Sequence, residues 1–445
     1  MAPKTEVIML NNESGIGFFH PATKLYRFTV LAFVSMLTLG CYFAYDIIAA
    51  IADSLMTSMG ARESEVGTMY TMYSVAAVIA VFVSGFLIDR LGTRKGSMIF
   101  STLVLLGAAV VAFAPSLPVL YVGRLIFGAG SEPLVVVQSA ILAKWFKGKE
   151  LALSFGIALT VSRLGTLFAL NTGEVISTHF GGPRYALLAA MLICLLSLLA
   201  NIVYVFMDRR GERILRLKEE ASEEKVVLKN IKFFKPTFWY VTMLCLTFYS
   251  AIFPFTALSL KFFNEKWGIP LVSGQEGGFL YKVFENFINM FKTAGGIASI
   301  IIFASMVLAP FAGKLVDRVG KRATLMIFGS LIMIPSHLLM GVSSMYPVIP
   351  MIMLGAAFVL VPAAMWPSVP LVVKKEWVGT AFGTMTAIQN IGLGLFPYLN
   401  GKLREITGSY TASQVMFAAL GLVGLIFAVL LLRANKKEGN ILEKP

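Results

Sequence analysis

The sequence predicts an all-α membrane protein: twelve transmembrane helices in two six-helix halves, with both termini cytoplasmic. Three observations carry this. The chain is 57% hydrophobic and only 14% charged, where a soluble domain has roughly a quarter of its residues charged. Its mean hydropathy is +0.78, so the solvent for most of its surface must be lipid. And one motif occurs twice, half the chain apart. Gly85-Phe-Leu-Ile-Asp89-Arg90-Leu-Gly92-Thr-Arg94-Lys95 returns as Gly313-Lys-Leu-Val-Asp317-Arg318-Val-Gly320-Lys321-Arg322, each copy between two long apolar runs.

Twelve runs reach the ~20 residues that a bilayer core requires. In the first half (1–207) they are 28–52, 66–89, 97–115, 118–143, 150–174 and 185–207. In the second (236–445) they are 237–262, 296–316, 322–342, 346–372, 377–400 and 411–433. The first run begins near Phe28 and is long enough to span, so no cleavable signal peptide is expected. A linker, 208–235, mixes Arg209, Arg210, Arg213 and Arg216 with Glu219, Glu220, Glu223 and Glu224, and reads as a solvated joint between the halves. The connection 264–295 is long. Phe279, Leu280, Val283, Phe284, Phe287, Ile288 and Phe291 recur there at helical spacing, which predicts an amphipathic helix. It either lies flat in the outer interface, extends span 8, or forms a lid.

Basic residues set the orientation. Lys24, Arg27, Arg90, Arg94, Lys95, Lys144, Lys147, Lys149, the linker, Lys314 to Arg322, Lys374, Lys375, Arg433, Lys436 and Lys437 collect on one side. That side is expected to be cytoplasmic. It also accounts for the net charge of +14, so no nucleic-acid partner is expected. Membrane lipid is the expected surround and a monomer the expected state. Cys41, Cys194 and Cys245 lie in apolar runs and read as packing residues. The three histidines are scattered, so neither a metal nor any other cofactor is expected.

Charges inside spans are costly unless paired or hydrated. Asp46, Arg124, Glu132 and Arg163 all fall in the first half. Glu132 is roughly 21 Å into span 4 and Arg163 roughly 20 Å into span 5 at 1.5 Å per residue. The two spans are antiparallel, so both charges come near the midplane of a ~30 Å core. One reading is a structural salt bridge that neutralises itself. The other is a pair held apart for a zwitterion, with Glu132 facing an ammonium and Arg163 forking onto a carboxylate. Arg124 is expected to anchor a polar network near the outer mouth. Asp46 either pairs with Arg124, carries a proton, or touches substrate alongside Tyr45. The second half offers Tyr249, Trp366, Gln389 and Asn390 near proline or glycine breaks, where exposed backbone can line a cavity.

The duplicated motif resembles the cytoplasmic signature of the major facilitator superfamily. That resemblance implies the twelve-helix transporter fold and a latch holding the outward-open state. Asp89, Arg90, Arg94, Asp317, Arg318 and Arg322 would form the latch, and Arg124 matches the superfamily's span-4 arginine motif. Within the superfamily, several stretches look like the lysosomal dipeptide transporters. They are Gly123-Arg124 through Ser131-Glu132, Lys144-Trp145-Phe146-Lys147-Gly148-Lys149-Glu150-Leu151, Ser162-Arg163-Leu-Gly165, Tyr45-Asp46, Phe253-Pro254-Phe255, Trp366-Pro367 and Gln389-Asn390-Ile-Gly392. This implies transport of dipeptides, whose termini Glu132 and Arg163 would receive. The 264–296 insert is longer than in that group. The one Asn-x-Ser sequon, Asn12-Glu-Ser14, falls on the cytoplasmic side, so the bacterial cytoplasmic membrane is expected ahead of the lysosomal one.

The expected function is therefore an alternating-access carrier of short zwitterionic peptides, a dipeptide uniporter and not an enzyme. Span 1 lacks the Glu-x-x-Glu-Arg/Lys cluster of proton-coupled peptide carriers. The alternatives are a small organic-anion or amino-acid carrier, and a non-transporting peptide sensor of the same fold.

Overall fold

The computed structural model describes residues 19–146, 150–215, 228–274 and 277–444. Most of the linker, residues 147–149 and the Asp89 side chain lie outside the described residues. All regular structure among the described residues is helical. The first half holds α1 (Lys24–Ala50), α2 (Ala52–Met59), α3 (Glu63–Ala112), α4 (Leu117–Phe146), α5 (Leu151–Phe180) and α6 (Pro183–Leu215). The second holds α7 (Pro236–Thr256), α8 (Ser259–Trp267), α9 (Phe279–Ile288), α10 (Ala294–Ala298), α11 (Ile300–Val319), α12 (Arg322–Val342), α13 (Val348–Val372), α14 (Val378–Thr407) and α15 (Thr411–Lys437).

Eleven stretches among the described residues are long and apolar enough to cross a membrane. Two of them, Glu63–Ser84 and Arg90–Ala112, are the two arms of α3. The twelfth expected span is α14. Its 30 residues are long enough, but it carries Thr384, Thr386, Gln389, Asn390 and Asn400 and is not among the eleven. It packs instead against α3 and α7.

The duplicated motif makes two equivalent turns. Gly92 sits at φ 77°, ψ 164° between the two arms of α3. Gly320 sits at φ 63°, ψ −119° between α11 and α12. Both angles lie where a side chain is strained, so a glycine is needed at each turn. At the same end, Lys24 and Arg27 hold Glu150 at 3.4 and 3.3 Å, and Arg322 donates to the Lys444 carbonyl at 2.9 Å. The motif and the described ends of the chain thus share one end of the molecule, here the motif end.

Helix α6 continues past residue 207, where the linker was expected to begin, to Leu215. The reason is Asp208. It is wholly buried, accepts from Lys144 Nζ at 2.8 Å and Trp145 Nε1 at 2.7 Å, and lies 3.5 Å from Arg94. A carboxylate so paired belongs to the packed half and not to a solvated joint.

At the far end the halves are bound together. Ser64 N donates to Glu405 at 2.8 Å, Thr71 Oγ1 to the Gly394 carbonyl at 2.6 Å, and Lys261 to Asp53 at 2.7 Å. The approach of α3 to α14 is so close that a Cβ on Gly67 would overlap the Pro397 carbonyl. One on Gly401 would overlap the Glu63 backbone. Small residues at such a crossing let two helix backbones meet.

The predicted amphipathic helix exists as α9. Phe279 packs on Phe180, centroids 5.4 Å apart, and Phe287 on Phe168 at 5.6 Å. The helix therefore runs antiparallel along the last turns of α5 instead of lying flat. Residues 289–293 separate it from α10 and α11, so it does not simply extend span 8.

Candidate functional site

A cavity of about 270 Å³ lies between the halves. The first half lines it with Cys41, Tyr42 and Tyr45 from α1, Tyr73 from α3, Ser131, Glu132 and Val135 from α4, and Arg163 from α5. The second half adds Tyr249 and Phe253 from α7, Trp366 from α13, and Thr386, Gln389, Asn390 and Leu393 from α14. Of the eight residues proposed for substrate from the sequence, Asp46 alone is absent from this lining.

Three lining residues immediately precede a proline inside a helix: Glu132 before Pro133, Phe253 before Pro254 and Trp366 before Pro367. Proline lacks the amide proton for the bond to the carbonyl four residues back, and its ring bends the helix. The amide ladder is thus interrupted beside three of the lining side chains. Asn400 uses the backbone at one break, donating to the Pro254 carbonyl at 3.2 Å.

Glu132 and Arg163 face the same cavity without touching. Among the described residues no ion pair joins them, which sets aside the self-neutralising salt bridge. Glu132 Oε1 accepts from the Tyr73 hydroxyl at 2.9 Å, and its other oxygen has no hydrogen-bond partner among the described residues. Arg163 has no carboxylate partner among the described residues either. Its guanidinium lies over the rings of Tyr42 at 5.3 Å, Phe358 at 5.4 Å and Phe253 at 5.9 Å, a cation–π setting. Its Nη1 is buried with no hydrogen-bond partner. Each charge is thus positioned by aromatic groups and keeps part of its hydrogen-bonding capacity for something else.

Arg124 also lies among aromatic rings and keeps a buried Nη2 without a partner, but it is fixed to the backbone and is not in the cavity lining. It is 1% exposed. It donates to the carbonyls of Met69 and Ala44, both at 3.3 Å, and lies 5.3–5.4 Å from the rings of Tyr45, Tyr70, Tyr73 and Phe127. It ties α1, α3 and α4 together behind the cavity. The expected alternative of an Asp46–Arg124 pair is not formed. Asp46 is buried, and its Oδ2 accepts from Thr166 Oγ1 of α5 at 2.6 Å.

On the second-half wall, Trp366 Nε1 donates to the Tyr249 hydroxyl at 2.9 Å. Tyr249 stacks on Phe253 with centroids 5.7 Å apart. Cys41, expected as mere packing, reaches the cavity, while Cys194 and Cys245 are buried away from it. Tyr42 and Tyr73 were missed by sequence reasoning. Tyr42 stands one turn before Tyr45 on the same helix face, which was a usable signal. Tyr73 meets Glu132 only through packing of α3 on α4, and no local pattern marks it. Among the described residues no group of acids, cysteines and histidines is placed to hold a metal.

The latch residues divide. Arg94 pairs with Asp208 and Glu212 of α6, and Arg90 is exposed. Asp317 and Arg318 are exposed and pair with nothing among the described residues. The start of α12 is capped instead by Glu443, which accepts from Thr324 N at 3.1 Å and Thr324 Oγ1 at 2.7 Å.

Comparison with known proteins places this arrangement. The chain is 34% identical over 95% of its length to the lysosomal dipeptide transporter MFSD1 of Danio rerio, covering 90% of that protein. It is 32% identical over 94% of its length to the Homo sapiens protein of the same name, covering 89% of it. Its fold is similar to a crystal structure of the nucleoside transporter NupG. The TM-score is 0.68 at 14% identity, over 91% of this chain and 99% of that one. The family model for the Major Facilitator Superfamily matches residues 31–285 and 285–444. The protein is thus a multi-pass membrane transporter, and the chain belongs to the major facilitator superfamily.

Proposed function

We propose that the protein carries dipeptides across its membrane by alternating access, as a uniporter. The observation that carries this is the opposed pair Glu132 and Arg163. Two opposite charges share one cavity, each held by aromatic neighbours and neither paired with the other. A ligand with an ammonium at one end and a carboxylate at the other completes both. The cavity is just below the ~300–1,000 Å³ usual for small-ligand sites, which suits a short peptide. The name shared by the 30–34% identical relatives points the same way.

We take the motif end as cytoplasmic, from the basic residues gathered there. The structure is then inward-facing. The far end is closed by Ser64–Glu405, Thr71–Gly394 and Asp53–Lys261, and the second copy of the motif is released, with Asp317 and Arg318 unpaired among the described residues. The uniport reading is supported by the described lining of the cavity, in which Glu132 is the one carboxylate.

The test is competition in proteoliposomes. Dipeptides should compete for radiolabelled dipeptide uptake, and free amino acids and monocarboxylates should not. Equal competition by monocarboxylates would favour an anion carrier that uses Arg163 alone. Binding without counterflow would favour a sensor.

A further inference from the structure

Helix α9 is inside out. Its one fully buried polar residue is Asn286, 1% exposed, whose Nδ2 donates to the Asn171 carbonyl of α5 at 2.7 Å and whose Oδ1 accepts from Ser273 N at 3.1 Å. Its opposite face carries Leu280, Phe284 and Ile288, spaced four residues apart and 79%, 65% and 65% exposed. A helix packed on a soluble surface shows the reverse polarity. Large apolar side chains in one contiguous row call for an apolar partner.

The position of the row says which partner. Phe287 touches Phe168, which lies 17 residues beyond the start of α5 at Leu151. That is roughly 26 Å along the helix, still inside a ~30 Å hydrocarbon core. Phe279 touches Phe180, roughly 18 Å further on and among the headgroups. Its neighbour α5 exposes apolar side chains as well, Leu159 and Phe168, and so does α11, which packs on α5, with Phe303 and Val307. The next segment is seated on α5 as well. A Cβ on Gly295 of α10 would overlap the Leu170 carbonyl, and Asn171 Nδ2 donates to Ser299 Oγ at 2.6 Å.

We propose that α9 is a lipid-embedded strap: its outer face docks on bilayer lipid, from the headgroups at Leu280 to the acyl chains at Ile288, and its inner face grips α5. It ties the segment that leads into α10 and α11 of the second half to α5 of the first.

The test uses the full chain in phosphatidylcholine–phosphatidylglycerol vesicles. Leu280→Cys, Phe284→Cys and Ile288→Cys are spin-labelled one at a time, with Leu159→Cys as the lipid-exposed standard. The labels go into a background with Cys41, Cys194 and Cys245 replaced by Ala, because Cys41 reaches the cavity and could itself take label. Collision with oxygen, which partitions into lipid, is compared with collision with a water-soluble nickel chelate. The expected result is an oxygen-to-nickel ratio that rises from 280 through 284 to 288, where it matches the standard. A ratio dominated by nickel at 284 and 288 places the face in water and overturns the proposal. Shielding from both reagents shows a protein covering it, a second copy or another chain, and overturns it equally.

Discussion

The two halves share one frame and divide the chemistry of the cavity. The first half supplies the charges, Glu132 and Arg163. The second supplies the Trp366–Tyr249 hydrogen bond, Phe253, and the amides Gln389 and Asn390. Duplication kept what builds the turns, Gly92 and Gly320 in matching motifs, and let the lining diverge. On the proposed reading, a cavity with one charged wall and one aromatic, amide-bearing wall would orient a small zwitterion by its ends. It would leave the rest of the ligand against surfaces that are weakly selective.

The largest effects should therefore come from the charged wall. Arg163→Ala or Glu132→Gln should each weaken dipeptide binding by about 2–5 kcal/mol if the contact is desolvated. Arg163→Lys should come close to Arg163→Ala, because the planar fork is lost along with its stacking. Glu132→Gln should weaken free dipeptides more than N-acetylated ones, which already lack the ammonium. Titration calorimetry on folded variants reads all three. Wild-type affinity in both single variants would end the comparison and the site with it.

Tyr73→Phe sharpens the assignment. It leaves the ring against Arg124 but removes the hydroxyl from Glu132, a bond to a charged group worth about 1.5–3 kcal/mol. The loss should fall on ligands with a free amino end and spare N-acetylated ones. An equal loss for both would make Tyr73 a packing residue.

On the second-half wall, Tyr249→Phe removes one neutral hydrogen bond, and a cost of about 0.5–1.5 kcal/mol is expected. If it costs more affinity than Arg163→Lys, the division between the walls is wrong. The smallest effect on binding belongs to Asp317→Asn, since Asp317 is exposed here. Dipeptide affinity should stay within error while transport slows. Cysteine accessibility should shift further toward the state closed at the far end, inward-facing on the proposed orientation, because the change weakens a latch needed only in the other state. Unchanged accessibility would remove Asp317 from gating.

Much of this was legible in the sequence because height in a membrane is countable. A rise of 1.5 Å per residue brought Glu132 and Arg163 to one level before any coordinates. Rotation about the helix axis is harder to read. Tyr45 lines the cavity, and Asp46, the next residue and ~100° further round, turns to Thr166 of α5. Contacts between helices were hidden for the same reason: Tyr73 finds Glu132, and four rings surround Arg124, only once α1, α3 and α4 are packed. The limit of α6 was misjudged because Asp208 reads as the first charge of a linker until Lys144, Trp145 and Arg94 are seen around it.

The polarity of α14 has a consequence for how the protein is made. A segment enters the bilayer from the translocon by its own apolarity, and α14 is less apolar than the eleven stretches that qualify alone. Thr386, Gln389 and Asn390 face the cavity, Asn400 reaches the Pro254 carbonyl of α7, and the helix as a whole packs on α3 and α7, both synthesised earlier. Insertion of α14 should then depend on those helices already waiting beside the translocon, and α3 becomes a scaffold for membrane integration as well as a wall of the cavity. Bulk added at Gly67, where α3 meets α14, would show first as chains with α14 left outside the membrane and α15 misoriented, before any defect in transport could be measured.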